Sequence, residues 1–199
     1  MKQMLAYTKV DTKRNPKMRC LLQNHVSEEK ASMYQNQQNH GDFANMSALL
    51  RRRPQAWAKM EGRLTNTDIQ GMVRFYQTAY GVLVVAEIGG LPKSADLCEG
   101  PIFGFHIHEG NTCTGNASDP FADTGSHYDP YDCRHPYHSG DLPPLFGANG
   151  YAFSAFLTDR FTVNEIIGKT VIIHAMADDF TTQPSGNAGQ KIACGEIGR

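Results

Sequence analysis

Residues 71–91, GMVRFYQTAYGVLVVAEIGGL, decide the fold class of this chain. Residues 71–77 alternate in part between apolar and polar side chains, whereas residues 80–91 are rich in β-branched residues and contain a glycine pair near their end. Runs of this kind, closed by glycine, are typical of β-strands that lead into turns. The stretch therefore predicts a β-hairpin.

Similar runs recur along the chain. Residues 103–109, 150–157 and 169–174 are further strand candidates, whereas only residues 162–167 carry the pattern of a helical turn. Many short strands at fairly regular spacing predict an all-β sandwich or barrel. Glycine, proline, aspartate and asparagine dominate residues 110–149, and a loop of that length in a small domain is usually functional.

The first 53 residues differ in composition from residues 54–199. They hold ten Lys and Arg against four Asp and Glu, a net charge of +6, whereas residues 54–199 hold nine against sixteen, a net charge of −7. Residues 1–53 also lack the apolar periodicity of a packed core, which predicts a disordered, basic and polar extension before one domain at 54–199. The arginine run at 51–53 is interpreted as a solvated cluster, and no nucleic-acid partner is expected. An alternative interpretation is a native start near Met46.

Membrane and export signals are the next consideration. No stretch approaches the roughly 18–20 uninterrupted apolar residues that cross a bilayer, so no membrane partner is expected. The N-terminal residues show no apolar segment followed by a small-residue cleavage site, which predicts a cytoplasmic protein. Four of the five cysteines fall in the folded domain, which favours an oxidising compartment instead. These two indications conflict.

Six of the eight histidines fall between positions 106 and 174. His106 and His108 are two residues apart in a predicted strand, so their side chains share one face. His174 ends another apolar run and can face the same edge if the two strands are neighbours. Neutral imidazole suits copper and zinc, and ligands on rigid strands favour a preorganised copper site.

The long loop supplies a second set of ligands, namely His127, His135, His138 and Asp141. Three nitrogens and one carboxylate oxygen make a closed tetrahedral set, which is the geometry that structural zinc prefers. Six histidines and one aspartate complete two four-ligand sites only if one imidazole binds both metals. The count therefore predicts a histidine bridge between two cations.

Five blocks of sequence, in this order, resemble the signatures of the copper,zinc superoxide dismutase family over roughly residues 69–198. They are GFHIHE at 104–109, HYDP at 127–130, HSGDL at 138–142, IHAMADD at 173–179 and GNAGQKIACG at 186–195. The resemblance implies a Greek-key β-barrel of immunoglobulin-like type with long functional loops. It also implies an enzyme that dismutates superoxide to dioxygen and hydrogen peroxide.

Carried over by position, the resemblance implies the site residues. Copper would be bound by His106, His108, His127 and His174, and zinc by His127, His135, His138 and Asp141. His127 is then the bridge, and its ring would hand a proton to the nascent peroxide. Asp178 is implied to join a copper ligand, His106, to a zinc ligand, His135, through hydrogen bonds.

Lys191 is a departure from the family pattern, which commonly places an arginine at this position. The resemblance implies that its positive charge attracts and orients superoxide, but lysine lacks the planar fork of arginine, so we expect lower activity. The segment between His135 and His138 is short, and residues 179–189 form a short loop with little charge, as in bacterial-type members. Steering of the anion should therefore be weaker, and zinc occupancy less secure than copper binding.

The resemblance also implies an intrasubunit disulfide between Cys113 and Cys194, with Cys133 as a competing partner. A second bridge between Cys98 and Cys133 is open, since the sequence does not choose among the pairings. A homodimer is a further implication. Two alternatives to a copper/zinc dismutase remain, namely a non-catalytic copper-binding module on the same barrel and a copper-only dismutase.

Overall fold

A computed structural model describes residues 46–95 and 100–199 of the chain. These residues contain nine β-strands. They are β1 (Ala56–Gly62), β2 (Gln70–Thr78), β3 (Gly81–Gly89), β4 (Ile102–Phe103), β5 (Phe105–His108), β6 (Leu145–Phe146), β7 (Tyr151–Thr158), β8 (Thr170–His174) and β9 (Lys191–Gly198). Two short α-helices accompany them, α1 (Met46–Arg51) and α2 (Val163–Ile166), with single 3-10 turns at Leu64–Asn66 and Ala122–Thr124. The all-β prediction is confirmed.

The strands form a curled antiparallel sheet of seven, in the order β5-β8-β9-β1-β2-β3-β7, and a separate pair, β4-β6. Strands far apart in sequence are neighbours in this sheet, because β9 lies between β8 and β1 and β5 lies beside β8. Such crossing connections are consistent with the Greek-key topology of β-barrels. They also bring the ends of β5 and β8 together.

The predicted hairpin is present as β2 and β3, which pair from Gln70↔Gly89 to Thr78↔Gly81. Every second residue of β3, including Val82 and Val84, points into the main core. The intervening residues of β3 face outward, where Leu83 packs in a small cluster against Leu49 of α1. The sequence of β3 is largely apolar because both faces of the strand pack against other apolar side chains.

The core lies between the curled faces of the sheet and contains aromatic and β-branched side chains. Phe75 and Phe161 pack edge to face with their ring centroids 6.5 Å apart. Of the aromatic residues at 153, 156 and 161, only Phe161 is buried, whereas Phe156 packs partly against the core and Phe153 is 59% exposed. Burial of one such side chain contributes about 1.5–3 kcal/mol, so a core of this many apolar residues stabilises the barrel strongly.

The predicted strands at residues 150–157 and 169–174 are confirmed as β7 and β8, and the helical turn is confirmed as α2. The strand predicted at 103–109 is divided, because Gly104 separates β4 from β5. A Cβ on Gly104 would lie only 2.7 Å from the Cβ of Ala188, so the chain needs glycine at this position.

Two strands, β1 and β9, are not marked by an apolar run in the sequence. β1 alternates buried residues with charged ones, such as Lys59 and Glu61, so it contains no continuous apolar run. Most of β9 lies in the sequence block at 186–195 that resembles the family, and only that resemblance marks it.

The last residues of the predicted N-terminal extension are described by the structure. Helix α1 occupies Met46–Arg51. Residues 1–45, including Cys20, lie outside the described residues, as do residues 96–99, and the division of the chain at residue 53 stays a prediction. Among the described residues, the helices are too short and too polar to cross a membrane.

Candidate metal centre

Backbone hydrogen bonds fasten the long loop to the free edge of β5. The amide of Ile107 donates to the carbonyl of Gly140 at 2.9 Å, and the amide of Tyr128 donates to the carbonyl of Ile107 at 2.8 Å. These bonds set His127 opposite His108 across an isolated bridge. Side chains distant in sequence therefore converge at one edge of the sheet.

The first cluster consists of four buried histidines whose ligand nitrogens lie within 4.8 Å of one another, namely His106, His108, His127 and His174. Strand alternation directs His106 and His108 toward it, while Phe105 and Ile107 point into the core. His174 ends β8, which pairs directly with β5. The predicted copper site requires that β5 and β8 be neighbouring strands, and they are.

Carbonyl groups orient two of these rings. Nδ1 of His108 lies 2.8 Å from the carbonyl oxygen of Gly125, and Nδ1 of His174 lies 3.1 Å from that of Gly189. A carbonyl can only accept, so each Nδ1 carries the proton and each Nε2 presents a lone pair to the cluster. The two Nε2 atoms are 3.3 Å apart. That spacing suits two ligands of one ion.

The second cluster gathers around the carboxylate of Asp141. Its Oδ1 lies 2.8 Å from Nδ1 of His127 and 3.3 Å from Nδ1 of His138, and its Oδ2 lies 3.2 Å from Nδ1 of His135. The backbone amide of His138 also donates to Oδ2 at 3.0 Å. All four groups are buried and their ligand atoms lie within 4.8 Å of one another, as the predicted tetrahedral set requires.

His127 belongs to both clusters. Its Nδ1 faces Asp141, while its Nε2 is buried and has no hydrogen-bond partner. Its ring centroid lies 4.0 Å from that of His106 and 5.7 Å from that of His135. The bridge that the ligand count predicted, and that the resemblance assigned to His127, is therefore compatible with the position of this ring.

Asp178 links one histidine of the first cluster to one histidine of the second. Its Oδ2 accepts from Nε2 of His106 at 2.7 Å, and its Oδ1 accepts from Nε2 of His135 at 2.8 Å. This is the contact that the resemblance implied for Asp178. Gly186 makes room for it, because a Cβ there would overlap Oδ1 of Asp178 and the backbone has φ +69°. No local pattern in the sequence points to a special role for Gly186.

Three buried ring nitrogens are left without a hydrogen-bond partner, namely Nδ1 of His106, Nε2 of His127 and Nδ1 of His135. An unsatisfied buried polar atom costs about 1–3 kcal/mol, and one cation bound at each of the two clusters would satisfy all three. Four imidazole nitrogens suit copper, and three with a carboxylate oxygen suit zinc. The residues present therefore fit both metals.

The protonation states of the buried ligands favour metal binding. Burial, with a contribution from the ring of His106, lowers the pKa of His174 to about 3, and burial also lowers the pKa of His108. Both rings are neutral near pH 7. At the second cluster, burial would raise the pKa of Asp141, but hydrogen bonds from His127 and His138 outweigh it and keep this pKa well below its usual range. Neutral imidazole and ionised carboxylate are the forms that bind metals.

A cavity of about 800 Å³ opens onto the edges of His108, His127 and His174. Lys191 lines it, and its Nζ donates to Oδ2 of Asp119 and to the carbonyl of Phe121, both at 3.0 Å. The predicted cation is thus beside the first cluster, but a carboxylate that the sequence analysis missed is paired with it. No short-range signal could reveal this pair, since 72 residues separate its members.

Cys113 and Cys194 form a disulfide, which joins the long loop to β9. This confirms the implied pairing. Cys133 is itself disulfide-bonded and so does not compete for either cysteine. The predicted partner of Cys133, Cys98, lies outside the described residues.

Fold and site together define a class of protein, a β-barrel metalloprotein with two adjacent metal-binding clusters that share one histidine. A family model described as copper/zinc superoxide dismutase (SODC) matches residues 69–197. The chain belongs to this family, as the sequence blocks indicated.

Individual relatives agree with this assignment. The chain is 35% identical over 150 residues to a superoxide dismutase [Cu-Zn] of Photobacterium leiognathi, a match that covers 66% of this chain and 83% of that protein. It is 37% identical over 135 residues to the corresponding protein of Legionella pneumophila, covering 64% and 76%. It is 30% identical over 156 residues to superoxide dismutase [Cu-Zn] 2 of Aquifex aeolicus, covering 70% and 86%.

Proposed function

We propose that this chain dismutates superoxide to dioxygen and hydrogen peroxide at a histidine-bridged centre. Copper is held by His106, His108, His127 and His174, and zinc by His127, His135, His138 and Asp141. The observation that carries the proposal is the ring of His127, which takes part in both buried clusters of a chain of this family. Two superoxide anions and two protons are consumed for each dioxygen and each peroxide formed.

Copper, when bound, supplies the one-electron redox chemistry that oxidises one superoxide and reduces the next, and zinc supplies a fixed positive charge. The protein supplies the proton path and the geometry. His127 lines the cavity, and its Nε2 has no hydrogen-bond partner in the protein, so Nε2 is the atom that holds the proton destined for peroxide. Nδ1 of the same ring stays oriented toward Asp141, so the ring keeps its place while its protonation changes.

Lys191 attracts and orients the anion at the cavity. Its side chain is 16% exposed and its ammonium group is held by two oxygen atoms, which limits the movement of a flexible side chain. Asp119 offsets part of its charge, and Glu109, Asp129 and Asp132 also line the cavity, with Arg63 as a second cation. The balance of positive and negative charge around this cavity therefore attracts an anion only weakly, as the weak steering expected from the sequence requires.

Superoxide removal by the purified full-length protein tests the proposal, alongside its copper and zinc content. We expect removal that depends on copper, with the two metals bound in equal amounts after reconstitution. Bound copper without superoxide removal would show a copper-binding module instead. Full activity with copper alone would show a copper-only dismutase.

The homodimer and the compartment are finer parts of the proposal. Exposed aromatic side chains, such as Tyr137 and Phe146, are available for contact with a second copy, and sedimentation of the purified protein tests this. The cytoplasmic assignment from the N-terminal residues stays a prediction. The Cys113–Cys194 disulfide is more typical of an oxidising compartment, and fractionation of the source cells decides between them.

A further inference from the structure

Arg160 follows the end of β7 and reaches across to the long loop. Its Nη1 donates to three backbone carbonyl oxygens, those of Pro136 at 2.9 Å, His138 at 3.2 Å and Asp141 at 3.3 Å. The side chain is half-buried, and the three acceptors lie 19 to 24 residues earlier in the chain. This guanidinium therefore makes a long-range contact with a single segment of the loop.

Three carbonyl oxygens that converge on one point carry like partial charges and repel one another. One guanidinium nitrogen has two N–H groups, so at least one hydrogen is shared between two acceptors. The guanidinium stays charged at any relevant pH, and hydrogen bonds from a charged donor are stronger than neutral ones. Arg160 thus compensates an arrangement of carbonyl groups that would otherwise spread apart.

These carbonyl groups belong to the segment that presents the second cluster. Pro136 follows His135, and the other two carbonyls are those of the ligand residues His138 and Asp141. Two local bonds join the ligand residues to each other, the amide of His138 to Oδ2 of Asp141 at 3.0 Å and the amide of Asp141 to the carbonyl of His138 at 3.2 Å. The amide of Ile107 in β5 holds the segment to the barrel at the carbonyl of Gly140. Arg160 adds the bonds that hold the carbonyls of the ligand residues His138 and Asp141 themselves.

We propose that Arg160 is a positioning residue for the zinc site, which fixes the backbone from which His138 and Asp141 project. The inference rests on the proposed assignment of zinc to the second cluster. Arg160 bonds to main-chain carbonyls of the loop and supplies no metal ligand. Its loss loosens the backbone at these two ligand residues, so the apoprotein must order them further when it binds zinc. Residues that orient metal ligands typically contribute about 10–100-fold to metal affinity.

The test is a titration of the full-length protein, first loaded with one equivalent of Cu²⁺, with Co²⁺ as a spectroscopic probe of the zinc site. The visible absorption of four-coordinate Co²⁺ reports both affinity and geometry, independently of activity. Arg160→Gln and Arg160→Lys are compared with Arg74→Gln as a control, because Arg74 is a half-buried arginine of β2 that pairs with Glu87 away from the loop.

We expect Arg160→Gln to weaken Co²⁺ binding by about 10–100-fold and to alter the absorption spectrum, while Cu²⁺ binding and the thermal midpoint change little. Arg160→Lys should recover most of the affinity, because an ammonium keeps the charge and has three donors. Arg74→Gln should bind Co²⁺ like the wild type.

Unchanged Co²⁺ affinity in Arg160→Gln would overturn the inference and leave the proposed function intact. An equal loss of Cu²⁺ affinity would also overturn it, since that result indicates general disruption of the fold. Failure of the wild type to bind Co²⁺ at all would remove the zinc site that Arg160 is inferred to position. A wild type that binds both metals but leaves superoxide intact would refute the proposed function alone.

Discussion

The ammonium group of Lys191 lies 3.0 Å from Oδ2 of Asp119, so the cation beside the first histidine cluster is paired with an acid. Asp119 is 40% exposed in its side chain, whereas Lys191 is 16% exposed. Burial would raise the pKa of Asp119, but the hydrogen bond from Lys191 contributes to keeping it below its ordinary value. Asp119 is therefore ionised near neutral pH, and both members of the pair should influence the approach of an anion.

Replacement of Lys191 by glutamine should lower kcat/KM for superoxide by about 10-fold, because the charge beside the copper ligands is lost. Lys191→Arg should retain the wild-type rate or exceed it, since a planar fork can orient a small anion. Pulse radiolysis at several salt concentrations measures both variants. Equal rates for Lys191→Gln and the wild type would exclude this residue from the reaction.

Asp119→Asn should raise kcat/KM by about two- to threefold at low salt. The variant removes one negative charge from the cavity wall, and Lys191 keeps its bond to the carbonyl of Phe121. Because the screening length is about 8 Å at physiological ionic strength, the gain should shrink as salt is added. Asp123→Asn is the control, since Asp123 binds Thr114 in the same loop but does not line the cavity. A gain that persists at high salt would contradict an electrostatic cause.

Asp178→Asn should lower zinc affinity by about 10–100-fold, because His106 and His135 donate to different oxygens of Asp178 and asparagine replaces one of these acceptors with a donor. Metal content after dialysis against a chelator measures the loss. Asp179→Asn is a matched control, since the carboxylate of Asp179 accepts from Thr181 and Thr182 rather than from a histidine. Equal zinc retention by the two variants would count against a positioning role of Asp178.

Gly186→Ala should displace Asp178 and lower zinc retention in the same way, because the added Cβ overlaps the carboxylate. Gly168→Ala separates this effect from backbone strain. Both glycines have positive φ, +69° and +79°, but a Cβ on Gly168 would meet no atom within 4 Å. Each variant should lose about 1–2 kcal/mol of stability, and only Gly186→Ala should lose zinc. Zinc loss in both would point to strain alone.

Cys113→Ser should lower the free energy of unfolding by about 2–5 kcal/mol, because the Cys113–Cys194 bond closes a long loop across a sequence separation of 81. Urea unfolding of the metal-free proteins measures the difference. Thr112→Ser, a small change in the same loop, should leave the unfolding midpoint unchanged. If Cys113→Ser unfolds at the wild-type midpoint, the disulfide does not stabilise the barrel.

Several elements were predictable from local patterns alone. The β2–β3 hairpin followed from a β-branched run closed by glycine, and the shared direction of His106 and His108 followed from strand alternation. Strands β1 and β9 were not predicted, since one alternates buried and charged residues and the other was recognised only as a family block.

The amino-acid sequence by itself determined the type of fold, the seven ligand side chains and the need for one shared imidazole, because these depend on residue types, their count and a period of two along a strand. The tertiary structure decided which nitrogen of each ring faces the metals, that Asp119 pairs with Lys191 and that Arg160 holds the loop. Those features depend on hydrogen bonds between residues tens of positions apart, and only the folded barrel brings such groups within 3 Å or so of one another.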